Sequence, residues 1–240
     1  MHEYRLYTQI PTTRRTQVLN ILAGTTASQP TPITQQTLIY QQLKSEATTA
    51  SKKGQSKPSG APGQQQRLSY VKLVRDTSNA KNGSDAVAGS WRLREEGLPD
   101  PAVKTVISAA VTERELEKSE LLKFKPTSDT HKFISSYISS GTRFVHHNIV
   151  IYISRLYAKP SLTGTPDTDP LDVPPPTLDN ANLLDPSGAW LVEVCVRVDD
   201  GGNSGLREWA VKELEGFRRE LEAAVDLRVP DRLAMDPRVK

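Results

Sequence analysis

Residues 133–160 constrain the fold of this chain more than any other stretch. The segment reads FISSYISSGTRFVHHNIVIYISRLYAKP and contains two runs of alternating side chains. Most residues of the second run, 148–157, are β-branched or aromatic, which favours a strand that is covered on both faces. Gly141 can adopt the backbone angles of a tight reversal, and Pro160 ends the second run. The stretch therefore predicts a β-hairpin that is joined through Gly141 and serves as core scaffold.

Other parts of the chain also show the period-two alternation that is typical of strands. The clearest case is 189–199, AWLVEVCVRVD, in which Trp190 and four valines share one face. Proline and glycine clusters separate these segments, and no strand–helix–strand alternation appears, which argues against a parallel sheet. Further strands are predicted at 2–10, 33–43, 67–76, 90–94 and 103–112.

Two helices are predicted outside the strands. A short one follows Pro11, with Thr12 or Thr13 as its cap and Gly24 at its end, and residues 113–123 could add a turn or two. A long C-terminal helix is capped by Asn203 or Ser204 and ended by Pro230. Its apolar stripe needs a partner, and the open face of a sheet fits best. The stripe consists of Leu206, Trp209, Ala210, Phe217, Leu221, Ala224 and Val225.

These elements predict a mainly β (α+β) fold. The expected architecture is a single antiparallel multistranded β-barrel with a short N-terminal helix and a long C-terminal helix packed on it. We expect one domain over residues 1–240, interrupted by disordered loops at about 44–66 and 159–188. These two loops are rich in Ser, Thr, Pro, Gly and charged residues and have little apolar surface to bury.

Composition excludes some classes of function. The formal net charge is +3, from 31 Lys plus Arg against 28 Asp plus Glu, which is too small to argue for nucleic acid or membrane binding by itself. The single cysteine, Cys195, cannot form an internal disulfide and fits a reducing compartment. No signal peptide or apolar stretch of about 20 residues is present. We therefore expect a soluble intracellular protein.

The sequence offers no convincing catalytic, metal or cofactor site. His146 and His147 are neighbours on a predicted strand and point to opposite faces, so they cannot share one metal ion without a bulge. Arg14, Arg15 and the lysines of 44–66 could touch phosphates, but the aromatic residues of a base-stacking surface are missing. We expect no cofactor and no enzymatic activity.

One class of enzyme remains as an alternative. Tunnel-shaped barrels that hydrolyse triphosphates place several Glu, Lys and Arg side chains on inward strand positions, to hold a divalent metal and phosphates. Glu3 with Arg5, and Glu193 with Arg197, have this alternation. Each segment carries one acid where a pair is expected, so the alternative of a tunnel-type polynucleotide or nucleoside triphosphatase is the weaker interpretation.

Several blocks of the sequence resemble fungal Mediator subunit 18, a head-module component of the RNA polymerase II coactivator. The opening MHEYRLYTQIP, the block YVKLVR at 70–75 and the block WRLR at 91–94 are similar to that family. So are the blocks GTRF at 141–144 and NIVI at 148–151, and the closing DRL and DPRV at 231–233 and 236–239. The blocks occur in family order from end to end.

The resemblance implies a barrel shaped like the triphosphatase tunnels but without catalysis. It implies a structural subunit of the nuclear Mediator complex that docks other subunits and supports transcription by RNA polymerase II. The expected partners are Mediator subunit 20, as a heterodimer, and a C-terminal helix of Mediator subunit 8, with no direct nucleic acid and no membrane. The candidate partner-binding residues are Tyr137, Phe144, Arg155, Tyr157, Asp231 and Arg232. A nucleic-acid-binding barrel is a second alternative.

Overall fold

Eight antiparallel strands close into one barrel. The computed structural model describes residues 1–43, 69–78, 89–158, 169–171, 178, 182–231 and 235. Around the barrel the strands follow the order β1-β5-β4-β3-β2-β6-β7-β8. The elements are β1 (His2–Ile10), α1 (Arg15–Thr26), β2 (Thr31–Gln42), β3 (Ser69–Asp76), β4 (Arg92–Glu96), β5 (Ile107–Glu115), α2 (Lys118–Leu121), β6 (His131–His146), β7 (Ile149–Ala158), β8 (Trp190–Val198) and α3 (Ser204–Leu221).

The first and last strands of the chain complete the barrel. β1 pairs with β8 over its whole length, from His2 opposite Val198 to Ile10 opposite Trp190. β1 also pairs with β5 on its other side. The closed order of the described strands satisfies the backbone groups that an open sheet would leave at its edges. The predicted fold class, a single antiparallel barrel with one helix near each end of the chain, is confirmed.

The apolar side chains lie on the outer surface of the barrel, under the helices. The main core joins the outward faces of β1, β7 and β8 to α1 and α3, and a smaller core covers β2, β3 and β4. Tyr4 and Leu6, which alternate with the charged Glu3 and Arg5, are both completely buried in the main core. The register therefore points the alternate, polar set of side chains into the barrel interior.

Helix α3 packs on the barrel, as the sequence predicts. The side chain of Asn203 caps it by accepting a hydrogen bond of 3.2 Å from the backbone N–H of Leu206. Contrary to the prediction, the helix ends at Leu221 and not at Pro230. The chain then pairs with β1, where the backbone N–H of Arg228 donates to the carbonyl of Tyr7 at 2.8 Å. The buried residues of α3 are Ala210, Leu214, Phe217 and Leu221.

The hairpin of residues 133–160 turns at a different place from the one predicted. β6 continues straight through Gly141, and the chain reverses in a two-residue loop at His147 and Asn148. His147 takes the positive φ, 51°, that this loop requires. Gly141 instead allows β6 to lie close to β7, because a Cβ atom there would lie 1.9 Å from the carbonyl oxygen of Ile153 in β7.

Several predicted boundaries also shift. α1 continues past Gly24 to Thr26, and Ala27 with φ 50° follows it. Residues 113–115, predicted as helical, extend β5 because they pair with β4, and the short helix α2 comes later. The loop at 44–66 lies outside the described residues.

Two described parts of the second loop, around Leu171 and Leu183, contact the barrel. Leu171 is buried in the smaller core, and Leu183 forms a β-bridge with Tyr157. Residues 182–184 thus pair with the end of β7, beyond the part that pairs with β8. Among the described residues, no helix is long and apolar enough to cross a membrane.

Candidate functional site

A network of ion pairs fills the barrel interior. Its centre is Glu3, which is only 1% exposed. Arg94 donates hydrogen bonds from its two terminal nitrogens to the two carboxylate oxygens of Glu3, at 3.1 and 2.5 Å. Nε of Arg197 lies 2.8 Å from the same carboxylate, and Nε of Arg5 lies 3.9 Å from it. One buried carboxylate is therefore held by three arginines from three strands.

Two further glutamates extend the network around the barrel. Glu96 pairs with Nζ of Lys72 at 2.8 Å and with Nε of Arg94 at 2.7 Å. Glu113 pairs with Arg92 at 2.9 Å and with Arg94 at 3.2 Å. Because Arg94 contacts three carboxylates, it links β1, β4 and β5 across the interior.

Burial and neighbouring charges shift the pKa values of the glutamates in the barrel interior. Burial by itself would raise the pKa of Glu3, but the hydrogen bond and the charge of Arg94 lower it overall. Burial opposes the ionisation of Glu96 in the same way, and the charges of Lys72, Arg5 and Arg94 nevertheless lower its pKa to about 2. Glu193 differs, because burial outweighs the nearby arginines and raises its pKa.

The carboxylates of Glu3, Glu96 and Glu113 belong to an ion-pair network that connects the strands. Glu3, Glu96 and Glu113 are each engaged by two or more cationic side chains, so a divalent cation would have to displace them. In the described ranges, no group of three or more His, Cys, Asp or Glu is placed to hold a metal ion. The geometry therefore gives the interior charges a role in closing the barrel and offers no ready ligand set for a metal.

The sequence indicated part of this network and missed the rest. Glu3, Arg5, Glu193 and Arg197 were candidates for an inward-facing set, and the register places them on one face of the sheet. The inward residues of the other strands were missed, although the alternation in RLREE of β4 was a usable signal. The missed residues are Lys72, Arg92, Arg94, Glu96 and Glu113.

His146 and His147 lie at the turn between β6 and β7, and Cys195 is buried in β8. The rings of His146 and His147 lie 4.4 Å apart at the β6–β7 turn, and His146 also lies 5.7 Å from the ring of Phe217. Cys195 is 2% exposed. Burial and the charge of Glu193 raise the pKa of its thiol to about 12, so it stays protonated near neutral pH.

A second polar cluster lies on the outside of the barrel around Trp190. The guanidinium carbons of Arg15 and Arg155 lie 4.2 and 4.5 Å from the centroid of the Trp190 ring. Nη2 of Arg155 also donates to Oγ1 of Thr12 and to the carbonyl of Gly188, both at 2.6 Å. We call Arg15, Arg155 and Trp190 the Arg–Trp surface.

The structure brings some of the predicted partner-binding residues together and separates others. Arg155 and Tyr157 lie two residues apart on the outward face of β7 and are both half-buried. Tyr137 has the opposite orientation on β6, toward the interior, and Phe144 is 1% exposed in the main core. Asp231 is exposed, and Arg232 lies outside the described residues. A candidate outer surface therefore contains Arg155 and Tyr157, but not Phe144.

The fold and its interior define a class of protein: a closed antiparallel barrel with a self-neutralised polar interior and an outer surface clad by helices. The family model described as Med18 protein matches residues 2–238. The chain therefore belongs to the Med18 family. This finding confirms the resemblance seen in the sequence.

Individual relatives match along their full length. The chain is 27% identical over 279 residues to Mediator of RNA polymerase II transcription subunit 18 of Neosartorya fischeri, covering 100% of both chains. It is 24% identical over 257 residues to the protein of the same name in Yarrowia lipolytica, again with 100% of both covered. A chain of the Schizosaccharomyces pombe Mediator head module superposes with a TM-score of 0.70 at 19% identity, over 96% of this chain and 99% of that chain. The structural match supports the barrel fold.

Proposed function

We propose that this chain is a non-enzymatic structural subunit of the Mediator complex, in its head module, and acts in the nucleus by binding other subunits. The observation that carries the proposal is the family match over residues 2–238. The interior network agrees with it, because its central carboxylates are neutralised by the chain's own arginines. The protein would thus support RNA polymerase II transcription through contacts with other subunits.

The outer end of β7 is our candidate for such contacts. Tyr157 lies there on the same face as Arg155, and Leu184, whose segment pairs with this part of β7, is 50% exposed. A surface that combines an aromatic ring, an arginine and exposed apolar carbon is typical of protein interfaces. The partners proposed are Mediator subunit 20, as a heterodimer, and a helix from the C-terminal part of Mediator subunit 8.

Co-expression tests this proposal directly. The chain is co-expressed with Mediator subunits 20 and 8 of the same organism and passed over a size-exclusion column. We expect the three proteins to elute together, and Tyr157→Ala to weaken the complex more than Val145→Ala, a change at a 45% exposed apolar residue of β6. Elution of the chain alone, in soluble and folded form, would contradict the proposal.

The absence of catalysis is tested separately. Purified protein is incubated with a nucleoside triphosphate and manganese, and phosphate release is compared with that of Glu193→Ala. We expect equal background rates, because the carboxylates of Glu3, Glu96 and Glu113 are occupied by cationic side chains. Turnover by the wild type that the Glu193→Ala change abolishes would establish the triphosphatase instead.

A further inference from the structure

The Arg–Trp surface holds two positive charges for which the described residues supply no counter-ion. In the described part of the chain, no carboxylate lies within 4.0 Å of either Arg15 or Arg155. In the barrel interior, by contrast, Arg5, Arg92, Arg94 and Arg197 each pair with at least one glutamate. Two guanidinium groups on one indole ring repel each other unless an anion is added. The two charges of this surface are therefore not neutralised by the described residues.

Hydrogen bonding at this surface is incomplete as well. A guanidinium group has five N–H donors. Arg155 donates from Nη2 alone, and Arg15 donates no hydrogen bond to any described residue. The Nε atoms of both arginines and Nε1 of Trp190 are buried and have no partner among the described residues. Such buried donors are costly when they stay unpaired. The terminal nitrogens of Arg15 and Nη1 of Arg155 remain as donors for a ligand.

The geometry suits a carboxylate. An arginine that stacks on an aromatic ring uses the face of its planar group, so its N–H edge stays open for a bidentate contact with a carboxylate. Both arginines are half-buried, which makes such a pair stronger than one in open water. Thr12 and Gly188 already fix Arg155 in place, so little side-chain entropy is lost when the anion binds.

We propose that the Arg–Trp surface binds a carboxylate side chain in an acidic segment of a partner protein. The inference rests on the proposed function, because that function makes the partner a protein. A nucleic acid fits less well, since two guanidinium groups already lie over the Trp190 ring and leave less of its surface for a base. The small net charge of +3 also gives little attraction for a polyanionic backbone.

A charged peptide tests the proposal on the full chain. A fluorescent oligoglutamate is titrated with the protein at low ionic strength, beside an oligoglutamine of the same length, and binding is followed by anisotropy. We expect only the oligoglutamate to bind, and the double variant Arg15→Gln with Arg155→Gln to weaken it at least about tenfold. Arg207→Gln, which removes an exposed arginine of α3 outside the surface, is the matched control and should keep near wild-type affinity.

An indole resonance provides a readout that does not depend on a folded double variant. Wild-type protein with ¹⁵N-labelled tryptophan gives signals for Trp91, Trp190 and Trp209, and Trp190→Phe identifies the Trp190 signal. Adding oligoglutamate should shift the Trp190 signal and leave the other two nearly unchanged. Equal affinity of the double variant and Arg207→Gln, an unmoved Trp190 signal, or tighter binding of single-stranded DNA at the same residues would each overturn the proposal.

Failure of this proposal can be told apart from failure of the proposed function. If the double variant loses oligoglutamate but still elutes with Mediator subunits 20 and 8, the Arg–Trp surface is a separate acidic-segment site, and Arg155 does not belong to the contact surface for those subunits. If the wild type binds oligoglutamate through Arg15 and Arg155 but elutes without those subunits, only the proposed function fails.

Discussion

At the scale of single residues, Gly141 shows how close contacts define the barrel wall. A Cβ atom at this position would lie 1.9 Å from the carbonyl oxygen of Ile153 and 2.6 Å from Cα of Ser154. Both are backbone atoms of β7, which cannot rotate away as a side chain could. The strand pair β6–β7 therefore depends on the missing side chain of Gly141.

The corresponding prediction is that Gly141→Ala lowers the free energy of unfolding by about 3 kcal/mol or more, because β6 and β7 must move apart. The control is Gly24→Ala, in α1, where a Cβ would meet no atom within 4 Å. Alanine favours a helix over glycine, so this change should raise stability by about 0.5–1 kcal/mol. Urea unfolding of both variants measures the two effects. Similar stability of Gly141→Ala and wild type would contradict the close approach.

Single residues also show the limit of prediction from sequence. The sequence predicts the hairpin turn at Gly141, because a glycine between two extended runs commonly marks one. The actual turn uses His147, a residue for which positive φ is uncommon. From the sequence, Arg15 is a candidate phosphate contact only, and its position over the Trp190 ring depends on how α1 lies against β8. Such contacts between distant segments leave no local pattern in the sequence.

At the scale of elements, the start of α3 and its packing on the barrel follow from the sequence, because apolar residues recur at helical spacing. The predicted stripe omits Leu214 and continues to Ala224 and Val225, beyond the end of the helix. Phe217 is 2% exposed and Leu214 is fully buried, whereas Leu206 at the start of the stripe is 40% exposed. Trp209 is half-buried and packs at the rim of the main core. Only the first turn of the stripe is therefore exposed, and the helix is buried from Ala210 onward along this face.

We predict that Phe217→Ala lowers the free energy of unfolding by about 3–5 kcal/mol, because it leaves a cavity between α3 and the barrel. Leu206→Ala on the same helix should change stability by no more than about 0.5 kcal/mol. Thermal or urea unfolding of the isolated variants distinguishes them. If Phe217→Ala kept wild-type stability and lost only partner binding, α3 would be an interface and not part of the core.

The two long loops should differ in their contribution to stability. Residues 44–66 have a composition with little to bury, so a short Gly/Ser linker in their place should change the melting temperature very little. In the other loop Leu171 is buried, and Leu171→Ala should cost about 2–5 kcal/mol. That loss of stability corresponds to a fall of about 5–15 °C in the melting temperature of a domain of this size. An unchanged melting temperature for Leu171→Ala would contradict its place in the smaller core.

At the scale of the whole molecule, closure of the barrel creates the interior network. Arg94 and Glu3 belong to strands that are not neighbours, since β5 lies between β4 and β1. The strand patterns predicted the antiparallel barrel, because alternation is a property of each strand alone. The pairing of Arg94 with Glu3 could not be predicted, because it requires the strand order and the register of three strands together.

This network makes stability depend on pH. The pKa of Glu96 falls from the ordinary 4.5 to about 2 in the folded protein, because the charges of Lys72, Arg5 and Arg94 outweigh the effect of burial. A depressed folded pKa contributes stability that is present above about pH 4.5 and is lost as the pH falls to about 2. The pKa of Glu3 is also lowered, so its contribution to stability is likewise lost at low pH. The pKa of Glu193 is raised, so Glu193 contributes stability at low pH that is lost as the pH rises.

We therefore predict that the free energy of unfolding falls between about pH 4.5 and pH 2, with Glu96 contributing up to about 3 kcal/mol of the change. In Glu96→Gln the fall should be smaller by a similar amount, because glutamine takes up no proton. The control is Glu222→Gln, an exposed carboxylate just beyond α3, which should keep the wild-type slope. Urea unfolding at a series of pH values measures all three proteins. Parallel curves for wild type and Glu96→Gln would show that the ion pairs of Glu96 do not stabilise the closed barrel.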